Sequence, residues 1–242
     1  MDISQLILTV MAALVALTIH EFAHGYVAYK LGDDTAKSLG RLSLNPIKHL
    51  DPIGAMCMVL FHFGWAKPVP INPRNFKSPR KGFALTALAG PTINIVLGFF
   101  TAFFYLLAFF NFKQTDSAFL NNLQENTILF LGYFFTINIG LGVFNLIPVP
   151  PFDGSRILNV LLPDRLYFKV MKYEKQIYWG VIAWLFLGDY VYAALLRIPF
   201  VASTPALRTI ANVFSLSDIL SSAISAIARG MLRFWGLLPI FR

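Results

Sequence analysis

"LILTVMAALVALTIHEFAHGYVAYKL", residues 6–31, is the stretch whose reading decides the fold. At 1.5 Å per residue, a helix of this length crosses a hydrocarbon core of about 30 Å. Before Lys30 its charged or imidazole side chains are His20, Glu21 and His24. A charged group at mid-membrane costs roughly 2.5–3.5 kcal/mol on insertion scales. Three such residues within about one and a half turns therefore need a reason other than packing.

The rest of the chain agrees that the solvent is lipid. Of 242 residues, 57% are hydrophobic and 13% are charged, where a soluble domain carries about 25% charged residues. The mean hydropathy is +0.63. The expected fold class is an all-α polytopic membrane protein with about four to five transmembrane helices. The leading segment "MDISQ" has no basic residue and no small-residue cleavage pattern follows, so the first run reads as a retained span and not a leader. The single cysteine, Cys57, excludes an internal disulfide and a Cys-rich zinc module, and reads as a packing residue. The net charge of +8 falls mainly in short loops, which orients spans and points to no nucleic acid.

Candidate spans are 4–31, 82–110, 127–148 and 177–197. The run 52–65 is too short to cross and reads as a re-entrant or interfacial segment, tolerated at depth only where protein or water satisfies its backbone. In "AKPVPINP" (66–73), Pro68 and Pro70 remove donors from one edge of an extended chain, while Val69 and Ile71 keep theirs. A small β-hairpin-like element between the first two spans is expected there, able to take unwound substrate by strand addition at Val69 and Ile71. Residues 207–238 show apolar residues at three- and four-residue steps, with Ser and Thr opposite. This is a fifth span or an amphipathic surface helix, with a span preferred. Residues 1–200 are expected to form the core and 201–242 a C-terminal helical segment.

Lys and Arg crowd 67–81 and 153–176 and are scarce in 111–126. The first two segments are therefore expected in the cytoplasm, and the polar trio near the cytoplasmic end of the first span. The expected location is a multi-pass position in the cell's inner (plasma) membrane.

His20 and His24, at i and i+4, share a helix face and can offer two nitrogens to one ion. Glu21, about 100° round, can reach a water beside that ion. This is the H-E-x-x-H pattern of zinc peptidases, with the glutamate as general base. A catalytic zinc takes a third protein ligand. Candidates are His49, His62 and the carboxylates. Asp153 is well placed in "FNLIPVPPFDGSRIL" (144–158), where prolines end a span and Gly154 permits close approach. His49 and Asp51 read as loop-shaping, and His62 as structural.

Together these motifs are specific. H-E-x-x-H in an apolar helix, with N-x-x-P-x-P-x-x-D-G after a later span, resembles the site-2 protease family of intramembrane zinc metalloproteases. "SLNPIKHLDPIG" (43–54), "FGWAKPVPINPRNF" (63–76) and "AGPTINIVLG" (89–98) resemble segments of its prokaryotic members, and the likeness covers roughly 1–200. It implies one Zn2+ held by His20, His24 and Asp153, Glu21 as base, and a transmembrane protein as substrate. It also implies that Asn94 binds substrate backbone, which competes with a role in mending the kink at Pro91. Asn145 is a candidate oxyanion donor, or else a group that bonds carbonyls freed by Pro148 and Pro150. Phe152 stands where the family's common motif has Leu, and keeps an apolar contact. No inserted peptide-binding (PDZ) domain and no nucleotide-sensing (CBS) domain is visible in the sequence.

Three rivals follow from the same residues. A metalloprotease of another kind would use a glutamate as third ligand, but Glu125 and Glu174 are poorly placed. A zinc or proton transporter, or an inactive scaffold, would keep the cluster without the chemistry; transporters usually spread polar residues over several helices and show internal repeats, and neither is prominent here.

Overall fold

The computed structural model describes residues 2–61, 66–212 and 215–241. His62, with Phe63, Gly64 and Trp65, lies outside the described residues. In chain order the α-helices are α1 (Ile3–Lys30), α2 (Thr35–Ser38), α3 (Pro52–Phe61), α4 (Pro79–Phe110), α5 (Ala118–Asn145), α6 (Gly154–Leu161), α7 (Asp164–Lys172), α8 (Glu174–Leu196), α9 (Pro199–Ser203), α10 (Pro205–Ala211) and α11 (Leu216–Gly236). The protein is all-α, as expected.

Three helices, α1, α4 and α5, are long and apolar enough to cross a membrane; α8 makes a fourth if its two halves, bent by 53° around residue 186, count as one span. Their ends follow local chemistry. Asp2 caps α1 in a reciprocal box with Gln5. Gly32, at φ 106°, takes the left-handed turn that stops it. Pro79 opens α4 at its first turn and Ser117 caps α5. α3, at 10 residues, is about 15 Å long and does not cross.

α1 and α4 each carry a buried stripe, mostly of small residues, at a four-residue step, and α5 packs against them through Phe135, Asn138, Ile139 and Gly142. On α1 the buried stripe is Ala12, Ala16, His20, His24 and Ala28; on α4 it is Gly82, Thr86, Gly90, Asn94, Gly98 and Ala102. Small residues let backbones approach in lipid, where packing and not water expulsion drives association. Ile139 of α5 fills the space above Gly98, and Ile95 of α4 fills that above Gly142 of α5. α4 runs unbroken through Pro91.

Two expectations change. The hairpin between the first spans is reduced to one antiparallel bridge, Leu50 with Ala66, and no strand forms among the described residues. Beyond the bond from Lys67 N–H to His49 O at 2.8 Å, side chains and not a neighbouring strand take the hydrogen bonds of this segment. The tail is not a single run over 207–238, because α10 ends at Ala211 and α11 begins only at Leu216. α11 carries Asp218, Arg229 and Arg233 and is not among the helices apolar enough to span. The preference for a fifth span gives way to an amphipathic helix. Its Ile224, Ala228, Met231, Leu232 and Trp235 pack on a small core of α4 and α5, and the Trp235 indole donates to Phe99 O at 2.7 Å.

Candidate metal centre

The α1 stripe turns His20 and His24 toward α4, and both side chains are buried. Their Nε2 atoms lie 3.0 Å apart. Asp153 Oδ2 stands 3.3 Å from the first and 3.2 Å from the second. Asp153 reaches that point because the Pro148–Pro151 segment ends the α5 run and turns back into α6. Gly154 is wedged against the carbonyls of Leu146 and Ile147, where a Cβ would collide. Phe152, buried, sets its ring 4.4 Å from that of Phe144. The apolar contact expected at this position is present.

The proton positions follow from what the other ring nitrogens face. His24 Nδ1 lies 2.7 Å from Thr86 O, a group that only accepts. His20 Nδ1 lies 2.5 Å from Asn94 Oδ1. With the protons on Nδ1, both Nε2 atoms present lone pairs. Three lone-pair-bearing atoms then converge, and the buried Asp153 Oδ2 accepts no hydrogen bond among the described residues. Such a cluster is costly without a cation at its centre. Size supports the same conclusion. Ligand distances of about 2.0–2.2 Å in a tetrahedral site put ligand atoms about 3.3–3.6 Å apart. The observed triangle, with sides of 3.0, 3.2 and 3.3 Å, is close to one face of that tetrahedron. The donor set fits zinc.

Gly90 makes the room. A Cβ there would stand 2.5 Å from His24 Nε2 and 2.6 Å from His20 Cε1. Its small size is readable in the sequence as a helix-contact signal, but its contact with the imidazoles is not.

Glu21 is half-buried beside the cluster, and its Oε2 accepts the Val69 N–H at 2.8 Å. Segment 66–76 thus lies across the motif as a strap. Asp33, fully buried, holds its far end by accepting Asn72 N–H and Asn75 Nδ2, each at 2.7 Å. Arg41 donates to Lys67 O and Pro68 O. Burial alone would raise the Asp33 carboxyl, but hydrogen bonds from Thr35, Asn72 and Asn75 outweigh it and hold the group below the usual carboxylate range. Asp33 and Arg41 were not singled out from sequence. An acid one residue past a helix-ending glycine is a faint signal that it braces a turn.

The remaining expected site residues fall as follows. Asn94 is fully buried and bonds His20, Asn138 Oδ1 at 2.8 Å and Ala16 O at 3.4 Å. These contacts hold it against a candidate ligand within the bundle. The Asn145 amide donates to Leu141 O at 3.1 Å, one turn back in its own helix. That is a helix-end role, at Leu141 and not at the carbonyls the prolines free. Val69 is buried with its N–H spent on Glu21, and Ile71 is half-buried beside the Asn72 anchor. His49 is buried with Nε2 donating to Ser43 O at 2.6 Å, a loop contact. Glu174 pairs with Arg156.

Comparison with known proteins now decides the family. The model for peptidase family M50 matches residues 8–187, three quarters of the chain and both motifs. The chain belongs to peptidase family M50. This is the site-2 protease family whose motifs it resembles. Among its relatives, "Putative zinc metalloprotease YwhC" of Bacillus subtilis is 42% identical over 187 residues, covering 75% of this chain and 82% of that protein. "Zinc metalloprotease MJ0392" of Methanocaldococcus jannaschii is 28% identical over 159 residues, covering 65% of this chain and 35% of that one. No solved structure matches. This M50 peptidase is a zinc metalloprotease with zinc as its cofactor, carried in a multi-pass membrane protein.

Proposed function

We propose that this M50 peptidase hydrolyses peptide bonds within or beside transmembrane segments of other membrane proteins. The observation that carries the reading is the position of the His20–His24–Asp153 triangle among three apolar spans. A site meant for soluble peptides has no need to sit inside a helix bundle. The loop charges support an inner-membrane location with the site toward the cytoplasm.

His20, His24 and Asp153 hold one zinc ion. When bound, zinc supplies Lewis acidity to a peptide carbonyl and makes water a nucleophile near pH 7. The protein's own residues do the rest. Val69 N–H fixes one oxygen of Glu21, leaving Oε1 to take a proton from attacking water and return it to the departing nitrogen. Asn94 and the Thr86 carbonyl keep Nδ1–H of each histidine engaged, so both rings stay aimed. A substrate helix hides its carbonyls in its own hydrogen bonds and must unwind to be cut. The unwound backbone enters along the strap at Ile71, since Val69 N–H is engaged by Glu21. Residues 1–200 form the catalytic core, and the segment 201–242 braces α4 and α5 from outside.

The test compares membranes carrying wild type and Glu21→Gln by proteomics, with zinc content as control. Transmembrane proteins should accumulate uncut in the variant, which keeps its zinc. If more than a few per cent of wild-type cleavage survives, Glu21 is not the base. If only soluble proteins are cut, the intramembrane assignment fails.

A further inference from the structure

The peptide chemistry accounts for His20, Glu21, His24 and Asp153, yet another fully buried amide lies deeper in the bundle. Asn138 of α5 is 0% exposed, as is Asn94 of α4. Burying primary amides among apolar spans is costly unless every donor and acceptor is matched. Here they are matched in series. Asn138 Nδ2 donates to Phe134 O at 2.8 Å. Asn138 Oδ1 accepts from Asn94 Nδ2 at 2.8 Å. Asn94 Oδ1 faces His20 Nδ1 at 2.5 Å.

The direction of this chain is not free. A backbone carbonyl only accepts, so Phe134 O fixes which end of the Asn138 amide faces it. That leaves Oδ1 of Asn138 toward Asn94, which must then present its NH2. Ala16 O, 3.4 Å away, asks the same of Asn94. Asn94 therefore turns its oxygen to His20, where it accepts the Nδ1 proton. The proton held on Nδ1 leaves Nε2 as a lone pair pointing at His24 Nε2 and Asp153 Oδ2. A reversed Asn94 would present NH2 to Nδ1, favouring the tautomer with its proton on Nε2, which cannot bind an ion.

We infer that Asn138 is a positioning residue for the metal centre: it sets the amide orientation of Asn94, and through it the tautomer in which His20 offers Nε2. It rests on the reading of His20 as a ligand but concerns a residue outside both motifs and on a different span. Asn138 touches neither substrate nor metal ligand. It acts only through Asn94.

The experiment measures zinc affinity by chelator competition in detergent, and the visible spectrum of the cobalt-loaded protein, for Asn138→Leu, Asn94→Leu, the double variant and Asn138→Asp. Loss of a ligand's outer partner commonly costs 10–100-fold in metal affinity. Asn138→Leu should weaken zinc by about 10-fold and alter the cobalt bands. Asn94→Leu should weaken it at least as much. The double variant should be no weaker than Asn94→Leu alone, because without the Asn94 amide there is nothing left to orient. Asn138→Asp should come within a few-fold of wild type. Burial keeps its carboxyl protonated, so its OH replaces the donor to Phe134 O and its carbonyl replaces the acceptor. Should Asn138→Leu not fold, Asn138→Ala removes the same amide without adding bulk. Wild-type affinity and spectrum in Asn138→Leu or Asn138→Ala overturn the proposal. So do losses that multiply in the double variant, since they mark a general packing defect. If instead His20→Ala keeps full zinc affinity, the failure lies in the ligand reading and not in the relay.

Discussion

Gly90→Ala is the sharpest test of the site's geometry, because it adds a single methyl. That methyl would stand 2.5 Å from His24 Nε2, about 0.9 Å short of the 3.4 Å at which ordinary contact begins. Metal–ligand distances tolerate only about 0.2 Å of error. The imidazoles are held from behind by Asn94 and Thr86 O, so a retreat of that size breaks either these bonds or the ligand triangle. Alanine gains about 1 kcal/mol over glycine in helix propensity, while overpacking costs about 1–3 kcal/mol. The metal-free protein should therefore unfold at nearly its usual temperature or a few degrees lower, yet bind zinc at least 100-fold more weakly. The assay is zinc per protein by atomic absorption after chelator challenge, with thermal unfolding of the metal-free form as fold control. Gly230→Ala is the matched control, since its Cβ would meet nothing within 4 Å; it should keep full zinc. Wild-type zinc affinity in Gly90→Ala would refute the assignment of His20 and His24 as convergent ligands.

Other outcomes follow from the same contacts. Asp153→Ala should lose activity and most of its zinc, whereas His49→Ala, whose ring bonds Ser43 O, should keep the metal; atomic absorption on both decides between them. Asp33→Asn should destabilise the protein by about 1–3 kcal/mol at pH 7, through unmatched buried donors of the strap, read as a lower unfolding temperature. Because the folded carboxyl lies below its ordinary value near 3.9, its stabilisation is full above that value and fades as pH falls through the folded one. The gap between wild type and Asp33→Asn should narrow below about pH 4 and not at neutral pH. A cysteine at Ser78 should label only from the cytoplasmic side and one at Ser117 only from the other; the reverse pattern inverts the topology.

What the sequence made legible was whatever one helix or one short motif contains. His20 and His24 share a face by spacing alone, and three prolines (Pro148, Pro150 and Pro151) and a glycine mark where Asp153 turns inward. The spans were legible as uninterrupted apolar length. What stayed hidden depends on which elements meet. Asn138 is a polar residue in an apolar run until α4 is set beside α5. Gly90 reads as a helix-contact residue until the imidazoles lie over it. The strap was misjudged as part of a sheet because alternation of proline and donor describes a strand edge. In the structure the partners that complete it are the Glu21 and Asp33 carboxylates and the Arg41 guanidinium. Side chains from 26 or more residues away are not encoded locally. The tail misled through its periodicity, which is that of α11 but is interrupted after Ala211.

The four-residue step joins packing to chemistry. A stripe of small residues on α4 brings α1 close enough for backbone contact, and that same closeness leaves no room for a side chain at position 90. Ligands placed on the α1 stripe are thereby forced into the interface, away from lipid, where their outer nitrogens find Asn94 and Thr86 O. Asp153 enters the same interface from the end of α5. Lipid-facing positions on α1, such as Ile7, Met11 and Val15, remain apolar and exposed. One periodic pattern therefore solves two problems: it holds α1 and α4 together without help from water, and it hides charged and polar ligands from hydrocarbon. A helix that carried His20 and His24 on its outer face would have the same motif but neither the second contacts nor the shelter. The ligand function is thus a property of the packed stripe, and substitutions that separate α1 from α4 at Ala12 or Ala16 should weaken metal binding from a distance.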